Sequence, residues 1–208
     1  MDGAGLLCMN KNFNTSTSVM NIAIFASGTG TNAEQIIKAF ENNSEIVVRL
    51  IVSNRKNAGV LEIAKRHNVD QLIINRELFL NEELVKQLLE MNINLIVLAG
   101  FLWKIPELLI AAYPDRILNI HPALLPNYGG HGMYGRFVHE AVIESTDAAS
   151  GITIHLVDEK YDSGKILFQA TCLRGASDTS ETLASKIHLL EHTHFSKIIA
   201  SHIKFLEG

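Results

Sequence analysis

An asparagine and a histidine stand two residues apart at the end of an apolar segment, Leu118-Asn119-Ile120-His121-Pro122. Side chains two residues apart on a strand lie on the same face, so the amide and the imidazole can act on one bound group. In an open α/β sheet, ligands bind at the carboxyl ends of the strands, so polar groups there are good candidates for a site. Pro122 and Pro126 bar a normal continuation of strand or helix and stiffen the segment that follows. The sequence therefore predicts a reactive pair at a strand end.

A glycine-rich turn, SGTGTN at 27–32, lies between an apolar segment and a helical pattern. Backbone N–H groups at the start of a helix suit a phosphate. With Ala33 the turn also matches the weak dinucleotide pattern G-x-G-x-x-A, which predicts an acidic residue at the end of the second strand. That strand ends at 52–55 without a carboxylate, although Arg55 and Lys56 could meet the extra phosphate of NADP. We favour a mononucleotide-like phosphate, and a tight turn that binds nothing stays open.

The elements that must position these residues alternate along the chain from Met20. Continuous Val, Ile and Leu runs predict strands buried on both faces of a parallel sheet, joined by right-handed βαβ units. Within 33–40 the apolar residues fall at i, i+3, i+4 and i+7, and Asn32 is the expected N-cap residue of this helix. The predicted strands are Ile22–Ala26, Ile46–Ser53, Gln71–Ile74, Leu95–Ala99, Ile117–His121, Ile152–Val157 and Lys165–Ala170. The predicted helices lie near 33–42, 58–67, 81–91, 104–112 and 181–205.

Composition excludes several classes of protein. The 208 residues are 47% hydrophobic and 19% charged, enough to bury the core of one domain. A net charge of −4 argues against a broad nucleic-acid surface, and no apolar run reaches the roughly 18 residues of a membrane span. Cys8 and Cys172 are too few for a disulfide framework and favour a reducing cytoplasm. Residues 1–19 lack the features of a signal peptide, so we expect a disordered extension followed by a single domain at 20–208.

Four segments, in this order, resemble the phosphoribosylglycinamide formyltransferase family of the folate-dependent formyltransferase superfamily. They are SGTGTN at 27–32, LAGFL at 98–102, NIHPALLP at 119–126 and GITIHLVDEKYDSGKIL at 151–167. The resemblance implies an α/β, Rossmann-like fold with a mostly parallel twisted sheet, helices on both faces and antiparallel pairing near the C-terminal strands. It implies a cytoplasmic enzyme of purine synthesis that moves the formyl group of 10-formyltetrahydrofolate to the amine of glycinamide ribonucleotide, without a metal.

The resemblance also implies that Asn119, His121 and Asp162 form the catalytic set. Asp162 would raise the pKa of His121 and hold the imidazole cationic. The amide and the imidazole would then both donate to the oxyanion that forms when the amine attacks. A histidine or an ordered water near Asp162 would relay the proton.

Binding residues follow from the same resemblance. The phosphate of the ribonucleotide is expected at Gly30, Thr31 and Asn32, and its glycinamide end at Glu191, which could otherwise be an exposed charge on the last helix. Trp103 stands where many relatives carry arginine. The expected folate-binding residues are Arg76, Leu102, Trp103, Lys104, Ile105, Asp158, Glu159, Lys160 and Tyr161.

The segment 127–136 contains four glycines and is expected to be a flexible loop beside the site, with His131 a mobile surface histidine. Two related enzymes remain as alternatives. A methionyl-tRNA formyltransferase should add a C-terminal RNA-binding domain, and a formyltetrahydrofolate hydrolase an N-terminal regulatory domain. A nucleotide-binding oxidoreductase or a non-catalytic Rossmann-like module is the alternative outside the superfamily. The expected partners are two small-molecule substrates, with neither nucleic acid nor membrane, in a monomer or homodimer.

Overall fold

The computed structural model describes residues 19–208, which fold around a seven-stranded sheet. The strands are β1 (Met20–Phe25), β2 (Ile46–Ser53), β3 (Asp70–Ile73), β4 (Ile93–Leu98), β5 (Ile117–His121), β6 (Ala149–Leu156) and β7 (Ile166–Leu173). Their order across the sheet is β3-β2-β1-β4-β5-β6-β7. Strands β1 to β5 pair in parallel, and β6 runs antiparallel to both β5 and β7. The predicted mostly parallel sheet with antiparallel C-terminal pairing is confirmed.

The described residues also form seven helices, two of which were not predicted. They are α1 (Thr31–Phe40), α2 (Gly59–Arg66), α3 (Arg76–Phe79), α4 (Glu82–Glu90), α5 (Glu107–Ala112), α6 (Arg136–Glu144) and α7 (Ser180–Glu207). The single turn α3 is started by the Asn75 side chain, which accepts a hydrogen bond from the Leu78 N–H at 2.8 Å. Helix α6 begins where the glycine-rich loop ends, and it buries Val138, His139 and Val142.

The two faces of the sheet carry two separate apolar cores. Side chains alternate along β1, so Ile22 and Ile24 pack with α1, α2 and α7, while Ala23 and Phe25 pack with α3, α4 and α5. This agrees with the prediction of central strands buried on both faces. The prediction is wrong for the edge strands β3 and β7, because each lacks a neighbouring strand and several of their side chains are exposed.

The direction in which successive strands are added to the sheet reverses at β1, and this reversal creates a crevice. Strands β2 and β3 lie on one side of β1, and β4 and β5 lie on the other. Ligands of open parallel sheets bind at such a switch point, outside the carboxyl ends of the strands. The turn after β1 and the residues that end β4 and β5 therefore share one location.

Residues 1–18, which include Cys8, lie outside the described residues, so the disordered extension expected at 1–19 stays a prediction. Within 19–208, no helix combines the length and the apolar character needed to cross a membrane.

Candidate active site

A cavity of about 650 Å³ opens at the carboxyl ends of β1, β4 and β5. Its volume falls in the range of small-molecule sites, roughly 300–1,000 Å³. Its wall combines the turn after β1, the segment after β4, the loop between β5 and α6, the loop after β6 and one face of α7. The residues of these segments that line it include 27–32, 98–105, Asn119, 130–135, 157–158, 160–162, His188 and Glu191.

Asp162 lies between two imidazoles at the base of this cavity. Its Oδ2 is 3.7 Å from His121 Nδ1, and its Oδ1 is 3.6 Å from His155 Nε2. The Gly130 N–H donates a hydrogen bond to Oδ2 at 2.9 Å. Asn119 joins the cluster because its Nδ2 is 3.0 Å from His155 Nε2. The structure thus brings the three residues of the expected catalytic set together with a fourth, His155.

His155 lies within the segment 151–167 that carries the family resemblance, but it was not predicted as a site residue. In the antiparallel β5–β6 pair it stands directly opposite Asn119. Its Nδ1–H donates to the Leu156 carbonyl at 2.8 Å, which leaves Nε2 as the acceptor for the Asn119 amide. This bond fixes the amide and leaves its second N–H free for the cavity. The available signal was a histidine inside the apolar segment 152–157.

Burial controls the charge of His121. Only 3% of the residue is exposed, and burial lowers its pKa below the ordinary 6.5. The Asp162 carboxylate and the Tyr128 carbonyl raise the pKa, but their effect is smaller. The expected influence of Asp162 has the right direction, whereas the expectation that it holds the imidazole cationic is wrong here, because desolvation outweighs it.

His121 is also turned away from the cavity. Its Nε2–H donates to the Tyr128 carbonyl at 2.8 Å, and the residue is not among those that line the cavity. Tyr128 is held in a left-handed conformation, with φ at 56°, and its hydroxyl donates to Asp147 Oδ2 at 2.7 Å. The start of the glycine-rich loop therefore competes with any ligand for this imidazole.

The carboxyl group of Asp162 remains a carboxylate in this setting. Burial raises its pKa, but the neighbouring imidazoles of His155 and His121 and the Gly130 N–H together lower it below the ordinary value. A negative charge is therefore available to either imidazole.

Thr153 fastens the proline-containing segment that follows β5. Its Oγ1 donates to the Ala123 carbonyl at 2.7 Å and accepts from the Leu125 N–H at 2.9 Å. Gln169 Nε2 donates to the same Oγ1 at 2.9 Å and to the Leu125 carbonyl at 3.0 Å. Since Thr153 stands opposite His121 in the sheet, this network holds the segment directly behind the reactive residues.

The glycine turn starts α1 two residues earlier than predicted. Gly30 is the N-cap residue, with φ at 84°, and a Cβ there would lie 2.7 Å from the Val60 Cβ. The prediction that Asn32 caps the helix is wrong, because Asn32 is already inside α1. Its Nδ2 instead donates to Glu191 Oε2 at 2.9 Å. Gly30, Thr31 and Asn32 all line the cavity, as the predicted phosphate site requires.

Glu191 is a buried carboxyl group within an apolar stripe of α7. The stripe contains Leu183, Ile187, Phe195 and Ile199 at intervals that place Glu191 at its centre. Only 6% of Glu191 is exposed, and burial raises its pKa. The alternative of an exposed charge is therefore wrong. Because the carboxyl group lines the cavity, it can accept a hydrogen bond from a ligand.

An aromatic cluster forms the wall expected to bind folate. The Trp103 ring lies 5.2 Å from Phe79 and 6.1 Å from Phe101, and the Arg76 guanidinium lies 4.9 Å from its centroid. Arg76 itself does not line the cavity, so it reaches the site through Trp103. Leu102, Lys104 and Ile105 line the cavity as expected.

The loop at 157–162 forms the facing wall. Asp158 Oδ1 accepts from the Lys160 N–H at 2.9 Å and from the Ser163 hydroxyl at 2.8 Å, which shapes the loop. Asp158, Lys160 and Tyr161 line the cavity, whereas Glu159 does not. The exposed His131 also lines it, and its ring meets that of Tyr161 at 5.9 Å. The glycine-rich loop and this loop thus meet at the cavity.

Comparison with known proteins assigns the chain to a family. The family described as Formyl transferase matches residues 20–199. The chain belongs to the formyl transferase family. The resemblance noted in the sequence is confirmed, and the cluster around Asp162 is the candidate active site of a formyl transferase.

Several relatives of this formyl transferase carry a more specific name. The chloroplastic phosphoribosylglycinamide formyltransferase of Arabidopsis thaliana is 39% identical over 189 residues, which are 86% of this chain and 64% of that protein. The phosphoribosylglycinamide formyltransferase of Bacillus subtilis is 33% identical and is covered over 91% of its length. The chain spans 64% and 59% of the length of two plant relatives. A crystal structure of the enzyme from Bacillus halodurans has a TM-score of 0.78 at 35% identity, with 86% of this chain and 92% of that chain covered.

Proposed function

We propose that the protein transfers the formyl group of 10-formyltetrahydrofolate to the amine of glycinamide ribonucleotide, as a step of purine synthesis. The observation that carries this proposal is the placement of Asn119, His155 and Asp162 at the carboxyl end of β5, within one cavity that also contains the glycine turn. The names of the relatives from Arabidopsis thaliana and Bacillus subtilis support the same substrate.

The acceptor substrate occupies the part of the cavity between α1 and α7. Its phosphate binds at Gly30, Thr31 and Asn32, where the first turn of α1 offers backbone N–H groups. Glu191 faces the same part of the cavity and binds the glycinamide end, since a buried carboxyl group is stabilised by a hydrogen-bond donor or a cation.

The folate donor occupies the part of the cavity between the segment after β4 and the loop at 157–162. Trp103 offers an aromatic face, and Arg76 supports that ring from behind. Leu102 and Ile105 add apolar surface, and the loop that carries Asp158 closes the other side. Lys104, Lys160 and Tyr161 complete this pocket, whereas Glu159 belongs to the same loop without lining the cavity.

The reaction requires no covalent bond to the protein. The amine nitrogen attacks the formyl carbon, and a C–N bond forms as the carbonyl π electrons move to oxygen. The free N–H of Asn119 donates to this oxyanion, held in place by His155. The bond to the folate nitrogen then breaks, and that nitrogen takes a proton while the amine loses one. Asp162 and an adjacent imidazole carry the proton between them.

His121 joins the reaction only after it leaves the Tyr128 carbonyl. Its Nε2–H then donates to the oxyanion in place of that carbonyl. The growing negative charge on oxygen adds to that of Asp162, so the pKa of His121 rises as the intermediate forms. Protonation is thereby favoured when charge develops, although burial disfavours it beforehand.

An acceptor-dependent assay tests this function. Spectroscopic loss of the formyl donor should occur only when glycinamide ribonucleotide is added. Hydrolysis of the donor without an acceptor would favour a formyltetrahydrofolate hydrolase, and NADP-dependent turnover would favour an oxidoreductase. Formylation of methionyl-tRNA would point to the remaining alternative, and each of these outcomes would contradict the proposal.

Location and assembly stay predictions. A cytoplasmic protein is expected from its two cysteines, although two plant relatives are named chloroplastic. Sedimentation of the purified protein would distinguish the expected monomer from a homodimer.

A further inference from the structure

A buried histidine outside the catalytic cluster faces the cavity without a partner. His139, on α6, is 5% exposed and lines the cavity. Its Nδ1 is enclosed and has no hydrogen-bond partner, and the ring makes no hydrogen bond with any residue of 19–208. Almost all buried polar side chains in proteins are hydrogen-bonded, so this imidazole is suited to a polar group of a ligand.

The neighbours of His139 locate it along the cavity. His188 and His121 are both close enough to depress its pKa, although burial is the main cause of the decrease to about 4. His188 lines the cavity one helical turn before Glu191, on the same face of α7. His139 therefore lies near both His121 and the cavity-lining face of α7.

We propose that His139 binds the ribose of the acceptor substrate through a hydrogen bond to a sugar hydroxyl. This inference rests on the proposed function. In glycinamide ribonucleotide the ribose connects the amine-bearing group to the phosphate. With the amine at Asn119 and the phosphate at the glycine turn, the ribose lies in the middle of the cavity, beside His139.

The protonation state of His139 favours a hydroxyl over a phosphate. With a pKa of about 4, its imidazole is neutral at pH 7. A neutral imidazole has one donor and one acceptor, which matches a hydroxyl group. A phosphate would be better served by a cation, and the N–H groups of the glycine turn already suit it.

His192 provides a matched control. It lies on α7, stacked against His188 with ring centroids 6.3 Å apart, and its Nε2 is also buried without a partner. Unlike His139, it is not among the residues that line the cavity. Loss of its imidazole should leave substrate binding unchanged.

The experiment compares His139→Leu, His139→Gln and His192→Leu with the unaltered protein, each checked by circular dichroism. His139→Leu should raise the KM for glycinamide ribonucleotide about tenfold or more, as expected for a lost hydrogen bond to a buried group. The KM for the folate donor should stay within about threefold, and His139→Gln should recover most of the loss because it retains a donor and an acceptor. If His139→Leu does not fold, His139→Met serves as the apolar variant.

Substrate analogues identify the group that His139 contacts. An acceptor without the 2′ and 3′ hydroxyls should bind equally weakly to the unaltered protein and to His139→Leu. The unaltered protein and His139→Leu could still differ in KM for this analogue, yet have the same KM for an acceptor that lacks the phosphate. His139 would then contact the phosphate, and the inference would be wrong.

The inference and the proposed function fail in different ways. An unchanged acceptor KM in an active His139→Leu protein, or an equal rise of both KM values, overturns the inference alone. Absence of transfer by the unaltered protein overturns the proposed function and the inference with it.

Discussion

Asp162 and His121 shift each other's pKa in opposite directions. Asp162 raises the pKa of His121 against the larger effect of burial, while its own pKa is kept low by the imidazoles beside it. At the residue scale, the chemistry of the site depends on this balance. Removing the carboxylate should therefore change the pH dependence as well as the rate.

Asp162→Asn tests this balance. Without the carboxylate the pKa of His121 falls further, because burial is then opposed only by the weaker effect of the Tyr128 carbonyl. A step that needs protonated His121 loses rate as the pH rises through that pKa. The alkaline limb of the kcat profile should therefore move to lower pH, and turnover should fall by roughly 10²-fold or more. A profile that keeps its shape would contradict the assigned role.

His155 is expected to act through Asn119. His155→Leu removes the acceptor that orients the amide, so its N–H should no longer be aimed at the oxyanion. We expect kcat to fall by about 10–10²-fold with little change in either KM, since the loss affects mainly the transition state. His155→Gln, which can still accept from the amide, should restore part of the rate. Equal increases in both KM values would indicate a general disturbance of the cavity instead.

Two glycines of the same turn should respond differently to alanine. Gly30→Ala places a Cβ 2.7 Å from that of Val60 in a left-handed conformation, so the free energy of unfolding should fall by about 1–3 kcal/mol. At Gly28 a Cβ meets no atom within 4 Å, yet the residue lines the cavity. Gly28→Ala should keep the melting temperature and raise the KM for the acceptor. Thermal unfolding and kinetics of both variants test this distinction; an unchanged melting temperature for Gly30→Ala, or an unchanged acceptor KM for Gly28→Ala, would contradict it.

The sequence could predict some of these residues but not others. The shared face of Asn119 and His121 follows from strand spacing alone. The proximity of Asp162 depends on a loop after another strand, and the role of His155 depends on an antiparallel register that spacing does not reveal. Glu191 was predictable, since a carboxyl group at the centre of an apolar helical stripe is unusual unless it is functional or paired.

At the scale of elements, β6 links the catalytic strand to the segment that follows it. Thr153 of β6 satisfies the Ala123 carbonyl and the Leu125 N–H at once. Helix α3 was missed because its four residues are too few to show an apolar periodicity. Helix α6 was missed because it begins directly after the glycine-rich loop. Individual hydrogen bonds of Thr153, rather than a helix or strand, therefore position the segment that follows β5.

Thr153→Val should reveal the contribution of that network. The change keeps the shape of the side chain but leaves a buried N–H and a buried carbonyl without this partner, at a cost of about 1–3 kcal/mol. We expect a lower melting temperature together with reduced kcat, because the segment behind His121 is released. Thr171→Val, on the exposed side of β7, is the control and should change neither. An unaltered melting temperature for Thr153→Val would show that water replaces the network.

At the scale of the whole molecule, the order of the strands decides where chemistry can occur. The alternation of strands and helices predicted a parallel sheet, but it did not predict which strands are neighbours. That order depends on long-range packing of the two apolar cores, and it places the ends of β1, β4 and β5 around one cavity. The sheet thus assembles a phosphate-suited turn, an aromatic wall and the cluster around Asp162 from distant parts of the chain.

The central claim is that this cavity transfers a formyl group from folate to glycinamide ribonucleotide. The most direct measurement uses a donor labelled with ¹³C in its formyl group and follows the label by NMR, with His121→Ala as the matched inactive control. We expect the label to appear as a formamide on the acceptor nitrogen with the unaltered protein, and at a rate lower by orders of magnitude with the variant. Label recovered as free formate, or an equal rate for His121→Ala, would contradict the account.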